Sequence, residues 1–433
     1  MLGSMKSRGI IVETSGEKTE ETGNVVIGVC NSPESLSKNS QKSSEAFLAL
    51  DGSFFVEDTP TITRLVDTNS MGRLLGTPGA FALLAFDRKK LTAARDSLGQ
   101  KPLYWGVDVQ GNYAFASLKI ALKDVGINDS KPVLPGQVIE VSSRGLVVST
   151  NNVLTKPKNL EISEGEALSQ LERLFLEAVR KMVPEKSGLA FSGGLDSALA
   201  AAACKRLGLE PELITVGLKG QPELEHAAQA ADSIGLHSSI KCLSEGEVVE
   251  AVPAVVRTVE SDSPVTVGIS VPFYFACQRA REIGVPVIVA GQLSDELFGG
   301  YAKFEELALK EEPDTVDLAM WNSVLAAAEG DFEPGDKVAV SFGLELRCPF
   351  AFLPLVNFAL QLPVGLKVKM SKNGVTRKYI LRRLAEKWGL PANIVNRPKR
   401  AFQYSSGVQK VLAKEARRQG RKLGELLSSL LQT

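Results

Sequence analysis

The second half of the chain alternates short apolar runs with helical periods, and this alternation restricts its possible folds more than any other feature. Strands are predicted at four apolar runs, namely 188–191, 213–218, 238–243 and 285–290. Helices are predicted before and between them, at 164–181, 195–207, 223–234 and 272–283. Such alternation is typical of a doubly wound parallel sheet, whose ligands bind at the carboxyl ends of its strands.

Residues 9–150 have a different pattern, with short β-rich runs separated by Gly, Asn and Asp. The runs are Val25–Val29, Phe47–Phe55, Phe81–Phe86, Leu91–Ala94, Tyr113–Ala116 and Gln137–Val148. They predict an α+β or β-sandwich domain. Residues 151–163 read as a linker, and residues after about 315 read mainly as helices. We therefore predict two domains, at 1–155 and 156–433.

Composition narrows the classes of protein further. Fifty Lys and Arg balance fifty Asp and Glu, which argues against binding nucleic acid over the whole surface. Five scattered cysteines and two histidines favour neither a disulfide framework nor a zinc cluster. No stretch approaches the roughly 18 apolar residues that span a bilayer. We expect a cytoplasmic protein with small-molecule partners and no membrane or nucleic-acid partner.

The segment from Gly188 to Ser197 carries the strongest chemical signal. An apolar strand leads into Ser192-Gly193-Gly194 and then an Ala-rich helix. Glycines let backbone N–H groups approach a ligand, and the helix N-terminus favours an anion. The loop lacks the lysine of common nucleotide hydrolases, and Asp196 would repel a bare phosphate unless it held Mg²⁺ against it.

A second acidic segment, Gly291 to Tyr301, follows the apolar run at 285–290. Asp295 and Glu296 should therefore project from the same sheet edge as Asp196, where two acids can share one metal. A capping box at the start of a helix is the alternative explanation for these acids.

The first of these segments resembles the pyrophosphate-binding loop of the ATP pyrophosphatases. The second, Gly291 to Tyr301, and four more segments narrow the resemblance to the asparagine synthetase family. They are Arg95 to Gly106 with Phe115 to Lys119, Ile214 to His237, Gly343 to Phe350, and Arg397 to Phe402. The resemblance covers about Arg8 to Gly407. It implies an Ntn-hydrolase-like glutaminase domain followed by an ATP pyrophosphatase-type sheet with a helical tail, assembled as a homodimer.

The resemblance also implies roles for individual residues. Asp196 and Asp295 coordinate Mg²⁺, and Asp295, Glu296 and Lys399 are catalytic, Lys399 at the reacting phosphate. Ser192, Gly193, Gly194 and Ser197 hold the pyrophosphate of ATP, and Leu218 and Gly291 line its adenosine. Asp196 also belongs to the ATP-binding residues. The implied reaction activates a carboxylate as an acyl-adenylate and transfers it to ammonia or an amine.

The glutaminase part departs from the family pattern. The family nucleophile is a cysteine at the first residue of the mature chain, and the alignment places Arg8 there. Asp51 replaces an asparagine that donates a hydrogen bond to the oxyanion. Cys30 could become the nucleophile only if cleavage removed the first strand. We therefore predict a degenerate glutaminase domain and a nitrogen source other than glutamine.

The synthetase part departs as well, at positions near the acceptor. Gln292 replaces a family glutamate that accepts a proton from ammonia, and an amide cannot act as that base. Gly268 replaces an arginine near the pyrophosphate, and Phe352 replaces an aspartate. The nucleotide-binding signatures are complete, whereas the acceptor pocket is altered, so aspartate is in question as the substrate.

Three alternatives stay open. An intramolecular amide closure like that of β-lactam synthetases would use a Tyr–Glu pair as base, and Tyr274 with Glu296 or Tyr301 is the candidate for that role. A tRNA-modifying ATP pyrophosphatase would use the basic residues between Arg397 and Lys422. A nucleotide-binding protein without catalysis would bind ATP and release no pyrophosphate.

Overall fold

The computed structural model describes residues 9–13, 26–30, 40–42, 47–55, 71–86, 90–143, 145–150, 154–372, 374–398 and 406–432. The chain divides into two compact units, Met1–Thr155 and Lys156–Thr433. The first unit is β-rich and the second contains a parallel sheet, so that the predicted mixed α/β fold class is confirmed.

The first unit contains two antiparallel sheets. Its described strands are β1 (Gly9–Glu13), β2 (Val26–Cys30), β3 (Ser40–Lys42), β4 (Phe47–Phe54), β5 (Gly79–Phe86), β6 (Lys90–Arg95), β7 (Tyr104–Val107), β8 (Tyr113–Ala116), β9 (Lys131–Pro132), β10 (Gln137–Ser142) and β11 (Gly145–Thr150). The sheet orders are β2-β1-β8-β7-β9 and β11-β10-β6-β5-β4-β3. A buried cluster that includes Leu84 and Phe115 takes side chains from both sheets. The helices α1 (Met71–Leu75) and α2 (Lys119–Asp124) are short.

The predicted single run Gln137–Val148 is wrong, because it forms the hairpin β10–β11. Gly145 has a φ of +110°, which favours glycine where the chain reverses. Apolar side chains occur in both strands, so hydrophobicity alone does not show where the turn lies.

The second unit is built on five parallel strands in the order β14-β13-β12-β15-β16. They are β12 (Ser187–Ala190), β13 (Glu212–Leu218), β14 (Ser238–Leu243), β15 (Val287–Val289) and β16 (Glu345–Arg347). β12 pairs with β13 on one side and β15 on the other, so that the carboxyl ends of these strands share one edge. A separate hairpin joins β17 (Val368–Ser371) to β18 (Gly374–Arg377).

Helices surround this sheet and form most of the C-terminal part. They are α3 (Glu164–Met182), α4 (Leu195–Arg206), α5 (Pro222–Ile234), α6 (Glu245–Val259), α7 (Pro264–Glu282), α8 (Ser294–Phe298), α9 (Ala302–Ala308), α10 (Pro313–Ala327), α11 (Glu333–Ser341), α12 (Leu353–Gln361), α13 (Val364–Lys367), α14 (Tyr379–Lys387), α15 (Ala392–Val395), α16 (Val408–Arg418) and α17 (Leu423–Gln432). A π-helical turn, Ala328–Phe332, joins α10 to α11.

The sequence reading missed α6 and placed the start of α7 eight residues late, at Pro272. The true start is Pro264, because the Ser263 hydroxyl accepts a hydrogen bond from Thr266 N–H and caps the helix. Pro272 lies inside the helix instead. The late start of α7 comes from reading Pro272 as a boundary while the stronger signal, the capping Ser263, lay upstream.

Four of the basic C-terminal residues belong to the amphipathic helix α16, namely Lys410, Lys414, Arg417 and Arg418. α16 buries Val411 and Leu412, and two of its cations pair with acids, Lys414 with Glu245 at 2.6 Å and Arg418 with Glu415 at 2.8 Å. None of the helices in the described ranges is long and apolar enough to cross a membrane.

Candidate functional site

The glycine loop, Ser192–Ser197, joins β12 to α4. Gly193 has a φ of +66°, and a Cβ atom there would lie 2.9 Å from Ala227 Cα, so that the turn requires glycine. Gly194 N–H donates to Ser192 Oγ at 3.3 Å, and the Ser197 hydroxyl donates to the Gly194 carbonyl at 3.1 Å. These bonds fix the turn at the N-terminus of a 12-residue helix, where N–H groups and the helix dipole favour an anion.

The second loop, Gly291–Ser294, leads from β15 into α8. It lies against the glycine loop, because a Cβ atom on Gly291 would be 3.3 Å from Asp196 Cβ. The Ser294 hydroxyl donates to Asp196 Oδ1 at 2.8 Å. The parallel pairing of β12 with β15 therefore brings the two predicted acidic loops into contact.

Asp196 and Asp295 meet around the side chain of Lys378. The Lys378 Nζ atom lies 2.6 Å from both carboxylate oxygens of Asp196 and 2.7 Å from Asp295 Oδ1. The Lys378 side chain is 3% exposed, and each aspartate is 14% exposed. A Cβ atom on Gly300 would lie 1.8 Å from Asp295 Oδ1 and 2.2 Å from Lys378 Cε, so this arrangement depends on a glycine.

Sequence reasoning did not identify Lys378. It lies between β18 and α14 with a φ of +55°, a left-handed conformation that is uncommon outside glycine. No motif distinguishes it in the sequence, because it is one of several nearby basic residues, with Arg377 before it and Arg382 and Arg383 after it. The helix that Lys378 precedes, α14, packs against α4 and α8, and this packing brings Lys378 to the two aspartates.

A cavity of about 260 Å³ opens at these loops. The predicted residues that line it are Ser192, Gly194, Asp196, Ser197, Gly291, Asp295 and Glu296. Gly193 and Leu218 are not lining residues, and Leu218 N–H donates to the Ser406 carbonyl at 3.0 Å. Lys399 lies outside the described residues, although the two residues before it, Arg397 and Pro398, line the cavity.

An acidic group, defined here as Glu296, Tyr301 and Asp331, lines another part of the cavity. The Tyr301 hydroxyl donates to Glu296 Oε1. Burial, together with the negative charges of Asp331 and Asp295, raises the pKa of the Glu296 carboxyl to about 8. Burial also raises the pKa of the Tyr301 hydroxyl far above its usual range. Glu296 and Tyr301 therefore both lose their protons at a higher pH than the same side chains do in water.

Gln292, at the position of the family glutamate, has both ends of its amide engaged. Its Nε2 donates to the Asp331 carbonyl at 3.1 Å, and its Oε1 accepts from Cys348 Sγ at 3.2 Å. The Asp331 carbonyl belongs to the π-helical turn, where the regular helical pattern is interrupted, as is frequent near functional sites. Gln292 therefore holds the turn that carries Asp331.

The two aspartates offer the oxygen donors that Mg²⁺ takes in proteins. The described residues contain no cluster of three or more His, Cys, Asp or Glu that could hold a metal by themselves. Asp196 and Asp295 nevertheless share one cation position, which the ammonium of Lys378 marks. Mg²⁺ commonly takes one or two protein carboxylates and completes its shell with water and substrate phosphates, so these two oxygen donors fit it.

Two protein-family models match this chain. Residues 170–429 match the asparagine synthase family, and residues 39–124 match a glutamine amidotransferase domain. These matches define a chain with an amidotransferase part followed by a synthase part. Because the synthase match covers more than half of the chain, the chain belongs to the asparagine synthase family.

Two relatives illustrate the similarity. A Methanocaldococcus jannaschii protein named as a glutamine-hydrolyzing asparagine synthetase is 29% identical over 428 residues, covering 86% of this chain and 77% of that protein. The glutamine-hydrolyzing asparagine synthetase of Sandersonia aurantiaca is 30% identical over 354 residues, covering 76% of this chain and 64% of that protein. Among solved structures, NMN synthetase from Francisella tularensis is similar at 13% identity and a TM-score of 0.30, covering 63% of this chain and 92% of that one.

Proposed function

We propose that the chain is an AMP-forming amide ligase. It activates a carboxylic acid with ATP as an acyl-adenylate, releases pyrophosphate, and transfers the acyl group to ammonia or an amine. The observation that carries this proposal is the meeting of Asp196 and Asp295 at one cation position beside the glycine loop. That arrangement suits a nucleotide whose leaving pyrophosphate needs both N–H donors and a divalent cation.

In the first step, an oxygen of the acid forms a bond to the α-phosphorus of ATP. The bond from that phosphorus to the bridging oxygen breaks, and pyrophosphate leaves. Ser192, Gly194 and Ser197 offer hydroxyl and N–H groups at the N-terminus of α4 for this leaving group. Mg²⁺ held by Asp196 and Asp295 would offset the negative charge that accumulates on it.

Lys399 is proposed to contact the reacting phosphate. Support comes from Arg397, two residues earlier, whose Nη1 donates to the Ser192 carbonyl at 3.4 Å. The chain therefore reaches the glycine loop immediately before Lys399. A fixed ammonium there would stabilise the charge that develops as the α-phosphorus exchanges its oxygen.

In the second step, the amine nitrogen forms a bond to the acyl carbon, the bond from that carbon to the AMP oxygen breaks so that AMP leaves, and the amine passes a proton to the Glu296 carboxylate. Glu296 is proposed as a catalytic group for this step, since it lines the cavity and accepts a hydrogen bond from Tyr301, whereas the amide of Gln292 cannot accept a proton. The same Tyr301–Glu296 pair is the specific observation that favours the second candidate function, an intramolecular amide closure resembling that of β-lactam synthetases.

Ammonia or a free amine is proposed as the nitrogen source, although both relatives named above are glutamine-hydrolyzing. The carboxylate of Asp51, where the family has an amide donor, accepts from the Ser117 hydroxyl at 3.0 Å and lies 4.0 Å from Lys101 Nζ. An ionised carboxylate repels a developing oxyanion. Measured glutamate release from glutamine by the purified chain would refute this part of the proposal. Homodimeric assembly and a cytoplasmic location stay predictions, the first testable by light scattering.

The reaction class is tested by product analysis. Purified protein with ATP and Mg²⁺ should form AMP and pyrophosphate in equal amounts when its cognate acid and ammonium are present. Hydroxylamine should trap the activated acid as a hydroxamate. Formation of ADP and phosphate would contradict the proposal. Pyrophosphate release that requires tRNA would support a tRNA-modifying enzyme, and ATP binding without any turnover would support a nucleotide-binding protein.

A further inference from the structure

The peptide unit between Gly193 and Gly194 is the part of the glycine loop that its own residues restrain least. Neither residue has a Cβ atom, so both tolerate the dihedral changes that would reverse this unit. In one orientation the unit offers the Gly194 N–H to the cavity that Gly194 lines, and in the reverse orientation it would offer the Gly193 carbonyl oxygen. A carbonyl oxygen repels a phosphate, because both carry negative charge. Phosphate binding therefore requires this unit to be held in one orientation.

His226, in the first half of α5, contacts this peptide unit. Its Nε2 atom lies 3.0 Å from the Gly193 carbonyl oxygen. Because a carbonyl oxygen can only accept, Nε2 carries the hydrogen and donates it. The helix lies directly against the loop, since a Cβ atom on Gly193 would be 3.0 Å from His226 Cδ2. Burial lowers the pKa of the His226 imidazole, so the ring is neutral near pH 7 and donates through Nε2.

The carbonyls on either side of this unit also have donors from the protein. The Ser192 carbonyl accepts from Arg397 Nη1 at 3.4 Å, and the Gly194 carbonyl accepts from Ala198 N–H at 2.9 Å. His226 supplies the donor for the carbonyl between them. A trans peptide points its C=O and its N–H in opposite directions, so a donor that holds a carbonyl also directs the N–H that follows it.

We propose that His226 is a positioning residue for the pyrophosphate part of the bound nucleotide. Its imidazole holds the Gly193 carbonyl on the α5 side of the loop and thereby keeps the Gly194 N–H directed to the phosphates. His226 is not among the described residues that line the cavity, so it acts through the backbone. This inference rests on the proposed ligase function and adds to it the side chain that orients one phosphate-binding N–H.

Three variants separate the hydrogen-bond donor from the ring that carries it. The amide nitrogen of glutamine reaches about as far from the backbone as histidine Nε2, so His226→Gln should keep the donor. The shorter amide of His226→Asn should not reach the carbonyl, and His226→Leu has no donor. The Kd for pyrophosphate with Mg²⁺, measured by titration calorimetry, should rise roughly tenfold in the Asn and Leu variants, as expected for one hydrogen bond. The Gln variant should stay near the wild-type value.

Two controls accompany these variants. His237→Leu is the matched substitution, because the His237 side chain is 81% exposed and pairs with Glu212 away from the loop, and it should leave every Kd unchanged. AMP is the matched ligand, because it lacks the two phosphates of the leaving group, and its Kd should stay the same in all variants. The KM for ATP should rise together with the Kd for pyrophosphate while kcat changes by less than about twofold, the pattern of lost uniform binding.

The outcomes distinguish this inference from the proposed function. Equal pyrophosphate affinity in wild-type protein and a folded His226→Leu variant would overturn the role of His226 and leave the ligase function standing. Parallel losses of affinity for pyrophosphate and AMP would also overturn it, since they would indicate a general distortion of the packing around α5. Wild-type protein that binds AMP but not pyrophosphate would refute the glycine loop as the phosphate site, and with it both the inference and the proposed function.

Discussion

Buried acids in the two units are held by different kinds of donor. In the first unit, Asp96 accepts hydrogen bonds from four backbone N–H groups, the closest that of Leu98 at 3.0 Å. In the second unit, Asp196 and Asp295 are held by the side chain of Lys378 and line a cavity. Backbone donors cannot leave without unfolding, whereas a lysine side chain can rotate away. We therefore expect Asp96 to stabilise the fold of its unit. We expect Asp196 and Asp295 to be able to exchange the lysine ammonium for a metal ion.

The largest effect is expected at Asp196. Asp196→Asn should lower pyrophosphate release roughly a thousandfold, because an amide removes the charge that holds the cation at the leaving group. Initial rates with saturating ATP measure it. Asp232→Asn, an exposed acid in the last turn of α5, is the control and should keep the wild-type rate. A comparable loss in both variants would contradict the assignment.

Lys378 provides the most direct test of the comparison. Lys378→Met should destabilise the nucleotide-free protein by about 3 kcal/mol, because it leaves two largely buried carboxylates without their shared ammonium. Mg²⁺ with ATP should then raise the melting temperature of the variant more than that of the wild type. Equal shifts in the two proteins would show that the ammonium and the metal do not share a position.

Asp96 should behave in the opposite manner. Asp96→Ala removes the acceptor of four N–H groups and should cost about 2 kcal/mol in the unfolding free energy. The kcat of pyrophosphate release by the folded fraction should stay at the wild-type value. Chemical denaturation and initial rates together check this expectation. A loss of kcat in folded protein would show that Asp96 does more than stabilise its own unit.

The smallest effect concerns Lys367, a buried cation outside the cavity lining. Burial lowers its pKa from 10.5 to about 8, although Asp317 lies 3.8 Å away. The unfolded chain therefore binds more protons than the folded one between these two values, and stability rises with pH across that window. Lys367→Met should flatten this rise, whereas the exposed Lys310→Met should retain it. Unfolding free energies measured at several pH values decide between them.

Sequence periodicity predicted much of the second unit, because its strands are short and apolar and its helices begin after clear turn signals. The run 238–243 matches β14, and 188–191 differs from β12 by one residue at each end. The capped helix α6 was missed because no strand was expected to follow it directly, and β16 was missed because three residues carry too little periodicity.

The candidate site was only partly predictable. The Ser192–Ser197 loop and the acids at 295–296 were identified because each follows a buried strand within a compact motif. Lys378 and Asp331 lie on a hairpin–helix junction and a π-helical turn, which are positions that no local pattern marks. Their roles arise from packing between segments far apart in the chain.

The ammonium between the two acid loops has a practical consequence. Because Lys378 already places a positive charge between the two carboxylates, we expect the folded protein to need no metal for its stability, and chelators should leave its melting temperature unchanged. Divalent ions would then be recruited only together with the nucleotide that brings its own phosphates. On the proposed function, Lys378 would keep the two aspartates in place while no nucleotide is bound.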